Sequence, residues 1–412
     1  MRRYFNRKWV TAIGLLGMTC ALSLGAYAQE WTRFRGPNGS GESSTDSLPA
    51  EWTDKDYNWR VALPGIGHGS PVLWGDKLFL TSAEQKGTRR LLLCLDAHDG
   101  HVIWQKPFSA ITHELHLQNS FASSTPTVDE RRVYVAWATP VEYLVAALDH
   151  DGHPEWQRNL GPFTGQHGFG TSPIIYKDLL VIGNDQDGES SLVALERETG
   201  KIRWRVPRRT GVVAYSTPCV FQAGDGPVEL VFASKAHGLT GINPDTGSTN
   251  WELDVFDQRT VGSPLVVGPL VLSSCGSGGG ARNLLVAVKP GPKPEIVYKV
   301  DRSAPYVPTS VANGDIVFLW GDNGVVTCIE AASGKKIWQK RVGGTFSGSP
   351  VRAGSRLYCI SVDGEVVVIA ASREYELLGR NALGELSRST PAIAGGRIYL
   401  RTESHLVSIG GN

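Results

Sequence analysis

The side chains able to recognise a ligand gather in short stretches that precede recurring Ser/Thr-Pro pairs. They are His68, His113, His116, Phe121, His167, Phe169, Arg208, Arg209, Tyr215, Arg259, Arg302, Tyr306, Phe346 and Arg388. Cations beside aromatic rings attract anions and pack against polypeptide, so the chemistry on offer is binding of a protein segment or an anionic ligand. Phe121, Phe169 and Tyr215 are the anchor-type rings, and the arginines would set orientation and association rate. Nothing in the set has the spacing of a nucleophile with its base, so no catalytic residue is expected. His113, His116 and His167 lack an evident carboxylate to orient them, and no metal site is expected either.

Other residues of reactive type resolve into structural roles. Asp185-Gln186-Asp187-Gly188 begins like a calcium loop but has no Glu at the required distance, and it reads as a polar turn. Gly276-Ser277-Gly278-Gly279-Gly280 lacks the strand-to-helix setting and the Lys of a phosphate loop, and it reads as a hairpin tip. Cys94, Cys219, Cys275, Cys328 and Cys359 are widely spaced, with no C-x-x-C and no adjacent pair, which removes thioredoxin-type, zinc-ribbon and c-type haem chemistry. Cys94 and Cys328 stand where equivalent strands carry Ala147 and Ala194, the place of a small core residue.

Composition excludes whole classes of partner. The 412 residues carry 41 Lys and Arg against 40 Asp and Glu, so there is no basic field to draw nucleic acid. A hydrophobic share of 41% is too high for a disordered chain. Residues 1–28 read as a secretory leader, with Arg2, Arg3, Arg7 and Lys8 ahead of an apolar run and Ala26-Tyr27-Ala28 as the small-x-small cleavage pattern. Cleavage is expected between Ala28 and Gln29, giving an exported, periplasmic or secreted protein with no transmembrane segment in the mature chain. Loss of that leader removes four basic and no acidic residues and turns a net charge of +1 into −3.

The elements that position these residues repeat along the chain. Five segments (92–104, 145–156, 193–204, 239–251 and 326–338) share an apolar strand, a turn opened by Asp, Glu or Asn and closed by Gly, and a second strand in which Trp follows that Gly by four. The tryptophans are Trp104, Trp156, Trp204, Trp251 and Trp338, with Trp59 in a strand that has no hairpin before it. One large ring per unit at a fixed offset is a packing device between neighbouring units. Tyr298 and Leu377 are expected in the same place in two degenerate units. Pairs of a small hydroxyl residue and Pro mark the starts of units at 70–71, 125–126, 172–173, 217–218, 263–264, 349–350 and 390–391, and Val307-Pro308 fills the gap.

Each unit therefore supplies four antiparallel strands in about 40–50 residues, the signature of an all-β propeller. We expect eight four-stranded blades across 57–412, preceded by an irregular lead-in at 29–56. The eighth unit has room for only three strands, and residues 57–63 should supply its fourth near Leu406, leaving no open sheet edge. Loops between blades would then bring the candidate residues to one rim of the central channel.

The repeated Ala-Leu-Asp-x-x-Thr-Gly-x-x-x-Trp frame resembles the pyrroloquinoline-quinone-like repeat family, shared by quinoprotein dehydrogenases and by the outer-membrane-protein assembly factor BamB. Trp31-Thr32-Arg33-Phe34-Arg35-Gly36-Pro37 resembles the lead-in of secreted members. The BamB side of the family implies a non-catalytic scaffold with protein partners and no cofactor. The dehydrogenase side implies a quinone with calcium beneath a vicinal disulfide, and this chain has no adjacent cysteines. A small-ligand or glycan-binding propeller is the remaining alternative.

Overall fold

In this computed structural model, Met1 and residues 31–278, 280 and 282–411 are described. The leader and its Ala28–Gln29 junction lie outside the described residues. Among the described residues thirty-two strands form eight four-stranded antiparallel blades arranged by the repeat, and regular helix is limited to the 3-10 turns Pro37–Gly39 and Asp54–Asp56. Blade one runs Val72–Trp74, Lys77–Ala83, Arg89–Asp96 and Val102–Ser109, from the channel outwards. The other blades repeat that order, beginning at Thr127, Ile174, Cys219, Leu265, Val311, Val351 and Ala392.

Closure takes the expected form. Tyr57–Ala62 pairs antiparallel with His405–Gly410, Val61 lying opposite Leu406, so the first regular strand of the ring becomes the outermost strand of blade eight. The 405–410 edge is thereby paired, and blade eight gains the same four-stranded form as its neighbours instead of an extra bare edge that could template association. Blade seven departs from four strands, because Glu42–Ser43 adds a parallel fifth strand beside Val351–Ala353.

The hairpin turn explains the fixed Gly-to-Trp offset. Asp149 Oδ1 accepts from the backbone N–H groups of Asp151 and His153, and Gly152 takes a positive φ of 85° that a side chain would resist. The bare face of Gly152 then lies under the Trp104 ring of the preceding blade, where an added Cβ would come within 2.9 Å. Trp104 Nε1 donates to the His150 carbonyl at 3.0 Å, so one indole is packed and satisfied by a single neighbouring turn. Trp59, Trp156, Trp204 and Trp338 make the same donation to Ala97, Arg197, Pro244 and Ser372, and the Tyr298 hydroxyl donates to Ala331. Trp251 differs: its N–H goes to Glu229 in its own blade, because blade five has no Asp-Gly hairpin to meet it. Leu377 does not take the Trp place. Register puts Gly379 opposite Val368, as Trp104 is opposite Cys94, and the Ala50 carbonyl crosses the space a ring would need.

A ring of hydroxyls stitches the inner ends of the blades. The backbone N–H groups of Ser70, Thr125, Thr217, Ser263, Thr309, Ser349 and Thr390 donate to Thr125, Ser172, Ser263, Thr309, Ser349, Thr390 and Ser70 side-chain oxygens respectively. Val307-Pro308 therefore does not hold the start of blade six. Thr309-Ser310 occupies the ring register, two residues further on.

The lead-in enters the channel. Trp31 O and Thr32 O accept from Leu73 and Val128 of blades one and two, Arg33 Nη2 donates to Pro218 O at 2.6 Å, and Asn38 exchanges hydrogen bonds with the Val220 backbone. Arg35 is fully buried and donates five times, to the carbonyls of Gly39, Ser40, Thr309, Ser310 and Pro350. Burial pulls its guanidinium down to about 9, with Cys359 and Glu42 acting weakly the other way. Residues 31–43 thus reach inner strands of blades one, two, four, six and seven, and they close the channel as a plug.

Candidate functional site

Strands alternate in direction, so two sets of loops reach the same face: those before each innermost strand and those between the second and third strands. Above the hydroxyl ring they enclose a cavity of about 630 Å³. Seven of the candidate residues line it: His68, His116, His167, Tyr215, Arg259, Tyr306 and Arg388. Lys235, Gln118, Asn119, Gln258 and Gly276–Gly278 complete the wall, and Phe34 of the plug contributes from the channel side. The site is a blind cup.

Its electrostatics are one-sided. The lining holds Lys235, Arg259, Arg388 and three histidines, and no Asp or Glu. Burial, with Arg401 and Arg388 adding repulsion, pushes the His68 imidazole down to about 3 and keeps it neutral. His167 is lowered by burial, then by Arg259 and by His116, whose ring stands edge-on at 4.3 Å. Arg388 is lowered by burial, offset by Glu403 on a smaller cavity of about 210 Å³ that shares His68, Asn119 and Arg388 with the cup. Arg259 Nη2 reaches Gln166 Oε1 at 3.3 Å.

The remaining candidates are placed elsewhere. Arg208 is buried and held by Asp185, Thr240 and Ser234, so it fastens blade three to blade four. Arg209 is exposed but engaged by the Ala236 carbonyl and Glu252. Phe169 packs inward on Tyr143 and Phe163, at centroid distances of 4.9 and 5.6 Å, and Phe346 is buried on Trp320. Phe121 lies under Arg90 at 4.2 Å and meets His113 edge-on, facing the smaller cavity. Arg302 is exposed and does not line the cup. Of the three expected anchors, only Tyr215 faces the cup.

Lys235 and Phe34 reach the cup from outside the loops that precede each Pro. The alternation of strand direction also sends the 235–237 hairpin to this face. No local pattern announces that Phe34 turns into the channel.

The reactive-looking loops are structural. In the 185–188 loop Asp185 holds Arg208 and Asp187 accepts from Val213 N–H. Cys94, Cys219, Cys275, Cys328 and Cys359 are free and buried, and burial raises the thiols of Cys94 and Cys328 to about 12. Among the described residues one group has metal-ligand proximity, Asp96 with Asp99 and His101, and Asp96 and Asp99 there accept the turn N–H groups of His98 and His101. A calcium ion wants carboxylate oxygens, and the cup wall has none, so the donor set does not fit a calcium-held quinone.

A family model described as outer membrane protein assembly factor BamB matches residues 53–214, 186–289 and 295–410. The chain belongs to the BamB family. Among relatives, BamB of Alkalilimnicola ehrlichii is 28% identical over 44% of this chain and 42% of its own length. BamB of Yersinia pestis is 21% identical over 83% of this chain and 75% of its own. The match thus spans less than half of the first relative's length. A solved quinohemoprotein alcohol dehydrogenase from Comamonas testosteroni superposes with a TM-score of 0.68 at 13% identity, covering 93% of this chain and 81% of that one. That likeness concerns the fold alone. No helix among the described residues is long and apolar enough to cross a membrane.

Proposed function

We propose that this BamB-family propeller is a non-catalytic scaffold of the exported compartment that docks a partner polypeptide over the cup face, in the assembly of outer-membrane proteins. The observation carrying this reading is the cup wall itself: cations, hydroxyls, amides and two tyrosines, with no carboxylate. Such a wall, its three histidines included, offers hydrogen bonds and charge to a polypeptide, and it has no carboxylate to orient a histidine as a base or to hold calcium. Membership of a family described by an assembly role supports the same reading. The wider face adds exposed apolar contact, with Leu117 at 96% and Ile111 at 47% exposure in the loop that carries His116.

The test is affinity capture from the envelope fraction at two salt concentrations, using the parent and Arg259→Gln. Capture that weakens with salt and with the substitution supports a cationic docking face. Dye reduction by the purified protein with added quinone and calcium, and no partner capture, would instead favour the oxidoreductase alternative.

A further inference from the structure

The cup carries positive charge that nothing on its wall offsets. Arg259, Arg388 and Lys235 line it, and no carboxylate does. Arg259 Nε is buried without a partner among the described residues, and the Tyr215 hydroxyl, buried beside the His167 backbone, has no acceptor there. Unsatisfied buried donors are uncommon and call for an acceptor. On the floor, ring hydroxyls such as Thr125, Ser349 and Thr390 already accept a backbone N–H, which leaves each O–H to donate. The wall is therefore a set of donors seeking an anionic acceptor.

The plug decides what shape of ligand can go deepest. Residues 31–43 close the channel beneath the hydroxyl ring, and Phe34 forms part of the cup. A polypeptide entering from the mouth cannot thread through; it reaches the floor either as a turn, whose backbone brings no charge, or as a chain end, which does. Of the two ends of a chain, the ammonium would meet three like charges and the carboxylate would meet three opposite ones. We propose that the cup captures the terminal carboxylate of a polypeptide, with Arg259 and Tyr215 as direct donors and Lys235 and Arg388 supplying further charge. This rests on the polypeptide-docking reading and makes it specific. A cavity of about 630 Å³ accommodates a drug-sized ligand or the last few residues of a chain, and Gln118, Asn119 and Gln258 are placed on its wall to pair with backbone groups.

Titration calorimetry on the purified full chain tests it, with three probes: the peptide Gly-Ser-Ala-Gln-Ala-Phe as free acid, the same peptide as C-terminal amide, and citrate. The free acid should bind, more weakly as salt rises, and amidation should reduce affinity at least tenfold, the scale of a charge-assisted hydrogen bond. Arg259→Gln should cause a similar loss with an unchanged melting temperature, and Lys235→Gln a smaller one, so that one misfolded variant does not decide the outcome. Equal binding of acid and amide, no binding by either peptide, or binding of citrate alone would overturn the proposal. If the peptides fail while salt-sensitive partner capture persists, only the chain-end inference falls. If capture fails too, both do.

Discussion

Replacing Arg35 by Ala probes the plug at its most connected point. The guanidinium holds five carbonyls, three of them (Thr309, Ser310 and Pro350) on blades six and seven, at 2.7 to 3.2 Å. A hydrogen bond to a charged group contributes roughly 1.5–3 kcal/mol, so these three sum to about 4.5–9 kcal/mol gross. Against this stands desolvation of a guanidinium with no carboxylate within hydrogen-bonding distance, several kcal/mol that the substitution relieves. A net loss of about 3 kcal/mol remains, together with five carbonyls left without the Arg35 donor. Calorimetry should show a Tm drop of several degrees, and limited proteolysis should cut within 31–46 in the variant and not in the parent. Arg35→Lys, with three donors in place of five, should fall between them, and Arg60→Ala on the exposed strand should stay within about 0.5 kcal/mol. An Arg35→Ala protein that melts within a degree of the parent and resists the protease would refute the argument that the plug is latched by that side chain.

Arg208→Ser and Arg209→Ser should behave oppositely although adjacent. The first leaves Asp185 buried and unpaired and should cost about 3–5 kcal/mol in urea unfolding, whereas the second breaks an exposed contact and should cost less than about 1 kcal/mol. Similar midpoints would contradict the placement of Arg208. His68 binds its proton in the unfolded chain below 6.5 but in the folded one only near 3, so it draws stability away as pH falls through that window. Its effect should approach, without reaching, about 1.4 kcal/mol per pH unit, because the ring borders a cavity open to water. His68→Asn should flatten the acid limb of Tm against pH, and an unchanged limb would count against a buried neutral imidazole. Deleting residues 31–63 strips the plug and bares the 405–410 edge, so the product should aggregate; a monomer with the parent's melting curve would contradict ring closure by 57–62.

How much of this was legible depends on how local each cause is. The Asp-Gly hairpin and the Trp behind it are set within a dozen residues, so blade number, strand direction and the closing role of Tyr57–Ala62 could be derived from pattern. The Trp place in blade seven could not, because what fills it is the Ala50 carbonyl, brought over Gly379 from the far end of the chain. Arg33 and Arg35 look like surface cations, and the blade carbonyls they bind lie 185 to 315 residues away. No periodicity encodes that. Arg208 is a different kind of miss: Trp204, Val206 and Arg208 alternate along one strand, so its parity with a buried Trp already placed it on the inward face. The cup was half legible, since loops before each Pro deliver seven of its residues, while Lys235 and Phe34 arrive by strand direction and by the plug.

Contact between the cup face and a polypeptide can be read by site-specific photocrosslinking in living cells. A crosslinking residue at Gln118, on the cup wall, is compared with one at Arg60, exposed on the outermost strand of blade eight. Position 118 should give a discrete protein adduct that is lost when Arg259→Gln is added, and position 60 should give none. Adducts of equal yield from both positions, or no adduct from 118, would contradict that contact.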